Sequence, residues 1–192
     1  MRRTVVVGLD LSLTSTGIAR VEFSDEKTRP TISVMTVKSA GKRADTLRER
    51  HRRLAKLVDT IVAQALGADL AVIEAPAFSR SNPGMHDRSG LWWLVTDRLL
   101  GDGYVGDAEQ LAEVAPSARA KYATGKGNAG KDEVIAEVAR RFMSVNVRSN
   151  DEADALILAA MGCRHLGTPI DDMPALHRTS MDKVAWPEVV TS

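Results

Sequence analysis

Short apolar runs and longer amphipathic stretches alternate along the chain, and their periods predict most of its elements. Val5, Val6 and Val7 are β-branched and lead into Gly8-Leu9-Asp10, which predicts a buried strand over 4–10 with a carboxylate at its end. Residues 16–23 and 31–37 read as two further strands, separated by a turn-rich segment ending in Pro30. Links this short suggest an antiparallel meander. From about 44 to 66, Leu47, Leu54, Val58, Ile61, Val62 and Leu66 recur at the spacing of one helix face, and Gly67 is a natural stop. Leu70-Ala71-Val72-Ile73 then predicts a strand ending in a second carboxylate, Glu74, before Ala75-Pro76. A strand reached through a helix implies a crossover to a parallel neighbour.

The pattern is less regular over 76–87, which reads as a loop. A mostly apolar helix is expected over 91–100, where Trp92, Trp93, Leu94, Val95 and Leu99 fall, followed by a short strand over 111–115. A Gly- and Lys-rich segment precedes a helix over 132–142 and a last helix over 150–166. Asn150 suits the N-cap of that last helix, and Asp151 and Glu152 suit its first turn. Beyond Gly167 the chain is polar, holds three prolines and loses its period. The expected organisation is therefore one domain over 1–167 and a tail over 168–192 that is ordered only where it docks. Strands and helices in this order define an α/β domain with a five-stranded mixed sheet, antiparallel first and parallel afterwards, flanked by helices. No internal repeat is present.

Composition narrows the class. A chain of 192 residues and 20.8 kDa, 44% hydrophobic and 27% charged, suits one soluble core. It shows neither a secretory apolar segment nor a membrane-length apolar run, so a cytoplasmic protein without a membrane partner is expected. The single cysteine, Cys163, excludes an internal disulfide and a cysteine-rich zinc site, and its apolar helical setting predicts an inert buried thiol. The net charge of +1 carries no signal by itself, but its distribution does. Between Lys42 and Lys56 seven Lys/Arg stand against two acids, a stripe that suits either phosphates or plain solvent.

Four acids stand apart by their setting: Asp10 and Glu74 at strand ends, and Asp151 and Asp154 three residues apart at the start of the last helix. If the first and fourth strands are neighbours, these carboxylates converge. Two like charges ~4 Å apart repel by about 4 kcal/mol at an effective dielectric of 20, so such a cluster needs a cation. Carboxylates without His or Cys favour Mg²⁺ or Mn²⁺, and a pair of such ions suits phosphodiester hydrolysis. Taken singly, Asp151 and Asp154 are also ordinary helix-start acids and Glu74 an ordinary strand-end charge. Asp10, flanked by apolar residues, requires a buried partner.

The segment Gly125-Lys126-Gly127-Asn128-Ala129-Gly130-Lys131-Asp132 approaches a P-loop but places Asp132 where a hydroxyl should hold Mg²⁺, and no good buried strand precedes it. No nucleotide cofactor is expected. Contact of Lys121, Lys126 and Lys131 with a phosphate backbone is the simpler reading, and a nucleotide-binding regulator is kept as the alternative of another class.

Four ordered motifs resemble those of the RuvC-type crossover junction endodeoxyribonucleases: Gly8-Leu9-Asp10-Leu11-Ser12 with Thr16-Gly17, Val72-Ile73-Glu74-Ala75-Pro76, the Lys121–Lys131 segment, and Asn150-Asp151-Glu152-Ala153-Asp154. They span about residues 4–166. The resemblance implies an RNase H-like fold, a homodimer, Mg²⁺ dependence with Mn²⁺ as a substitute, and paired cuts in four-way DNA junctions. It maps the catalytic, metal-holding acids onto Asp10, Glu74, Asp151 and Asp154, and a phosphate-contacting lysine onto Lys131. A second basic residue of the family falls near Ala120 and Lys121, a base-stacking aromatic near Phe78, and the dimer-forming helix on the Trp92-Trp93 segment, which also reads as ordinary core. A compact member of this kind would suit a bacteriophage. A nuclease of the same fold acting on branched DNA in general, or on RNA–DNA hybrids, is the alternative.

Overall fold

The computed structural model describes residues 3–24, 29–76, 84–101 and 110–189. Its strands are β1 (Thr4–Asp10), β2 (Ser15–Phe23), β3 (Thr31–Lys38), β4 (Leu70–Glu74) and β5 (Leu111–Val114). They form one sheet in the order β3-β2-β1-β4-β5. The first three are antiparallel, and β4 and β5 add in parallel beside β1, as the meander and the crossover required. The helices are α1 (Leu47–Ala65), α2 (Met85–Gly101), α3 (Pro116–Thr124), α4 (Lys131–Arg141), α5 (Asn150–His165) and α6 (Ala175–Arg178).

Strand parity divides the core into two layers. Val5, Val7, Leu9, Ala71 and Ile73 pack under α1 and α2 with Leu57, Ile61, Leu91 and Val95. Val6, Leu70 and Val72 face the other way, against α5, α3 and α4. Successive side chains on a strand alternate between faces. Asp10 and Glu74 therefore project on the α5 side of the sheet, from the ends of two neighbouring parallel strands.

Helix α5 lies closer to the sheet than ordinary side chains permit. A methyl group at Gly8 would run into the Ala155 carbonyl oxygen, and one at Gly17 into the Asp151 carbonyl. At Gly162 it would stand 2.7 Å from a methyl of Val6. These glycines set the depth at which α5 delivers its acids. Overpacking a core costs ~1–3 kcal/mol, occasionally more, and at Gly8 the opposing atoms are backbone. Gly8→Ala is therefore expected to lose about 3 kcal/mol or more in urea unfolding, with wild-type stability as the contrary result.

Several boundaries differ from the sequence reading for local reasons. Helix α1 begins after Thr46, whose side chain and that of Glu49 form a reciprocal capping box. Ser149, not Asn150, caps α5 and accepts from the Glu152 N–H at 3.2 Å. Helix α2 starts six residues before position 91, through the polar stretch Met85–Gly90 that carries no apolar period. Helix α3 was not expected at all. Pro116 stands in its first turn and Gly125, at φ 84°, ends it. Its amphipathic pattern is too weak for periodicity to reveal.

The segment after Gly167 docks on α3, α4 and α5. Asp171 accepts from Tyr122 Oη at 2.9 Å and from Arg164 at 2.8 Å, with Arg141 3.8 Å away. Trp186 stacks on His165 with ring centroids 4.7 Å apart. Cys163 is buried, and burial pushes its thiol well above the ordinary range, which fits the inert reading. Among the described residues no helix is long and apolar enough to cross a membrane.

Candidate active site

The sheet brings Asp10 and Glu74 to adjacent strand ends: Leu9 pairs with Ile73, one residue before each acid. Asp154, in the first turns of α5, is 5% exposed and enters the same group from above. Asp151, one turn earlier, accepts a hydrogen bond from Ser15 Oγ at the start of β2. The turn between β1 and β2 is itself fixed, since Thr16 Oγ1 donates to the Ser12 carbonyl at 2.8 Å and accepts from its N–H at 3.0 Å. On the other side, Trp92 Nε1 of α2 donates to the Glu74 carbonyl at 3.0 Å and holds the end of β4.

A residue that the sequence reading missed joins the acids. Arg119 of α3 donates through Nε to Glu74 and through Nη1 to Asp154, with its side chain 11% exposed. Burial works against its charge, but the two carboxylates outweigh this and raise its pKa. A basic residue was expected near Ala120 and Lys121, and Arg119 is the cation that meets Glu74 and Asp154. Ala120 is buried in the core and Lys121 is half-buried in the last turn of α3. Arg119 did not stand out because 116–124 was read without a helix. Pro116 and Gly125 were the sequence signals for that helix, and the helix decides which side chain faces the sheet.

Electrostatics agree with a crowded acidic group. Burial raises the Asp10 carboxyl to about 8, assisted by the charges of Glu74, Asp154 and Asp151 and opposed by Arg119. Asp154 is raised to about 6, first by burial, while Arg119 and Lys131 pull it down. Asp10 is therefore mostly protonated at neutral pH in the metal-free protein. The group lacks enough positive charge for all its carboxylates to ionise.

Lys131, the first residue of α4, is near enough to act on Asp154. Lys126 is exposed and pairs with Glu133 at 2.9 Å. Phe78 lies outside the described residues. As the side chains stand, no three acidic, histidine or cysteine residues among the described ones are gathered tightly enough to hold a metal ion. Arg119 supplies the positive charge instead. The donor set of Asp10, Glu74, Asp151 and Asp154 consists only of hard oxygen atoms, the chemistry that Mg²⁺ or Mn²⁺ selects. With Arg119 displaced from Glu74 and Asp154, these oxygens are the donors that a divalent ion would use.

No protein-family model matches the sequence, and no curated protein matches it. Solved structures do. Thermus thermophilus RuvC superposes with a TM-score of 0.63 at 19% identity, covering 86% of this chain and 98% of that one. Its complex with a Holliday junction substrate gives 0.61 at 19%, over 86% and 97%. The yeast mitochondrial Holliday junction resolvase Ydc2 gives 0.52 at 11%, over 80% and 75%. The Fowlpox virus resolvase bound to junction DNA gives 0.53 at 11%, over 85% and 99%. These similarities identify the RNase H-like fold expected from the sequence, a five-stranded mixed sheet with helices on both faces.

Proposed function

We propose that this chain is a divalent-metal-dependent endodeoxyribonuclease that resolves four-way DNA junctions. The observation that carries the reading is the convergence of Asp10, Glu74 and Asp154 on one arginine at the parallel strand ends, in a fold shared with proteins solved on junction DNA. Fold alone supports many chemistries, so the site carries the argument.

In this reading Asp10, Glu74, Asp151 and Asp154 hold Mg²⁺, or Mn²⁺ in its place. The bound metal supplies Lewis acidity at the phosphate and lowers the pKa of a hydrolytic water. The chain's own residues do the rest. Asp10 gives up its proton when positive charge arrives, and Ser15 fixes the Asp151 carboxylate through its hydroxyl. Lys131 and a released Arg119 neutralise the phosphate oxygens, where a planar guanidinium can donate twice. Lys121, Lys126 and Phe78 extend the DNA contact. On α2, Trp93 is 66% exposed and Leu94 44%, an apolar face that suits a homodimer able to make paired cuts. A cytoplasmic location and a catalytic domain over 1–167 belong to the same proposal.

The test is cleavage of an end-labelled four-way junction in Mg²⁺ beside a linear duplex of the same sequence, a flap and an RNA–DNA hybrid. Symmetric paired nicks on the junction alone are expected. Equal cutting of all substrates would leave a nuclease of relaxed specificity, and no cutting in Mg²⁺ or Mn²⁺ would remove the nuclease reading.

A further inference from the structure

The basic stripe noted in the sequence has a defined place in the fold. Lys42 and Arg43, with Arg50 and Arg53 of α1 and Arg88 of α2, line a cleft of ≈ 590 Å³ whose floor is Ser12, Leu13 and Thr14. That floor is the turn between β1 and β2. The turn joins the strand that ends in Asp10 to the strand that begins at Ser15, the partner of Asp151, so the cleft and the acidic group share this connection.

The cations of this cleft have two different roles. Arg53 and Arg50 are struts. Arg53 donates to Ser39 Oγ at 2.7 Å and to the Leu13 carbonyl. Gly41 passes so close to that guanidinium that a methyl group would collide with it. Arg50 grips Asp87 through both carboxylate oxygens, and this hydrogen bonding holds the Asp87 carboxyl below its ordinary range. The other acid of the lining, Asp45, is half-buried and accepts from the Lys42 N–H at 2.7 Å. Lys42, Arg43 and Arg88 are exposed, and their charged groups make no ion pair among the described residues. Two arginines thus build the walls, both acids are engaged by these contacts, and three cations of the lining remain exposed to solvent.

The geometry points to this cleft as a second phosphate-binding site, which holds the DNA backbone outside the acidic group. The inference rests on the nuclease reading for its choice of DNA. Phosphate contacts of this kind position a strand without reading its sequence. Each one releases counterions and adds about 0.9 to the steepness with which log K falls against log salt on B-DNA.

The experiment is fluorescence anisotropy with a labelled four-way junction in EDTA, where metal is removed and DNA stays intact, over a series of NaCl concentrations. The triple variant Lys42→Gln/Arg43→Gln/Arg88→Gln is compared with wild type and with Arg178→Gln/Lys183→Gln, two exposed cations on the docked tail. The expected result is weaker binding by the triple variant and a salt slope shallower by about two to three, at an unchanged melting temperature, with the tail variant matching wild type. A wild-type slope in the triple variant overturns the site, as does an equal loss in the tail variant, which would reduce the effect to net charge. Cleavage by the same wild-type preparation in Mg²⁺ separates the two readings. Cutting with a cleft-independent slope sinks the cleft alone, and a cleft-dependent slope without cutting sinks the nuclease alone.

Discussion

On the proposed reading, Asp10→Asn is expected to abolish junction cleavage and, in the same protein, to flatten the pH dependence of stability. The first effect is expected to be ~10³-fold or more, the scale on which an essential ionisable group acts, and junction binding in EDTA should persist because it rests on the basic residues. The second follows from burial. The Asp10 carboxyl stands at about 8 in the folded protein against 3.8 for the free group. Between those values the folded state keeps a proton that the unfolded state has lost. The stability Asp10 contributes is thus complete below pH ~4 and disappears as pH rises through about 8. The metal-free wild type should therefore melt progressively lower from about pH 5 to about pH 9. The amide of the variant has no such proton to lose, so the variant should be more stable than wild type at about pH 9, by an amount on the order of a few kcal/mol. Thermal melts in EDTA across that range, run beside the cleavage assay, read both effects. Retained cleavage would remove Asp10 from the chemistry, and an unchanged pH slope would remove it from the buried acidic group.

Arg119→Gln carries the other large effect. Removing one partner of a buried ion pair costs ~3–5 kcal/mol, because the charge left behind stays desolvated, and here two carboxylates, Glu74 and Asp154, would be left. The metal-free variant should therefore melt well below wild type. If the arginine and a divalent ion share the same carboxylates, millimolar Mg²⁺ should stabilise the variant more than wild type, since binding to the folded state alone adds stability by linkage. Melting curves with EDTA and with Mg²⁺ measure this without reference to catalysis. Equal Mg²⁺ shifts in the two proteins would mean that Arg119 and the metal do not compete for the acids, and Arg119 would then be a structural strut.

The sheet was legible in the chain because its signals are local. β-Branched runs and a helix of period 3.6 between two of them suffice to place Asp10 and Glu74 at strand ends, and the pairing of Leu9 with Ile73 then puts both on one face. The spacing of Asp151 and Asp154 likewise puts both on one side of α5. These features depend on nearest neighbours in sequence, and the sequence states them directly.

Only the tertiary structure decided what those acids meet. Gly8 and Gly17 are ordinary strand glycines until α5 is laid across them, and the depth of that helix sets where Asp154 stands. Arg119 lies on a short helix too weakly patterned to be read from its period, and its partners are 45 and 35 residues away. The stripe from Lys42 to Lys56 was equally compatible with solvent. Folding divides it into arginines that brace Leu13, Ser39 and Asp87 and cations left facing outward. The physical reason is common to these cases. Periodicity records which face of an element is buried, whereas an ion pair or a close approach depends on which other element lies opposite, and that is set by the assembly of the whole core.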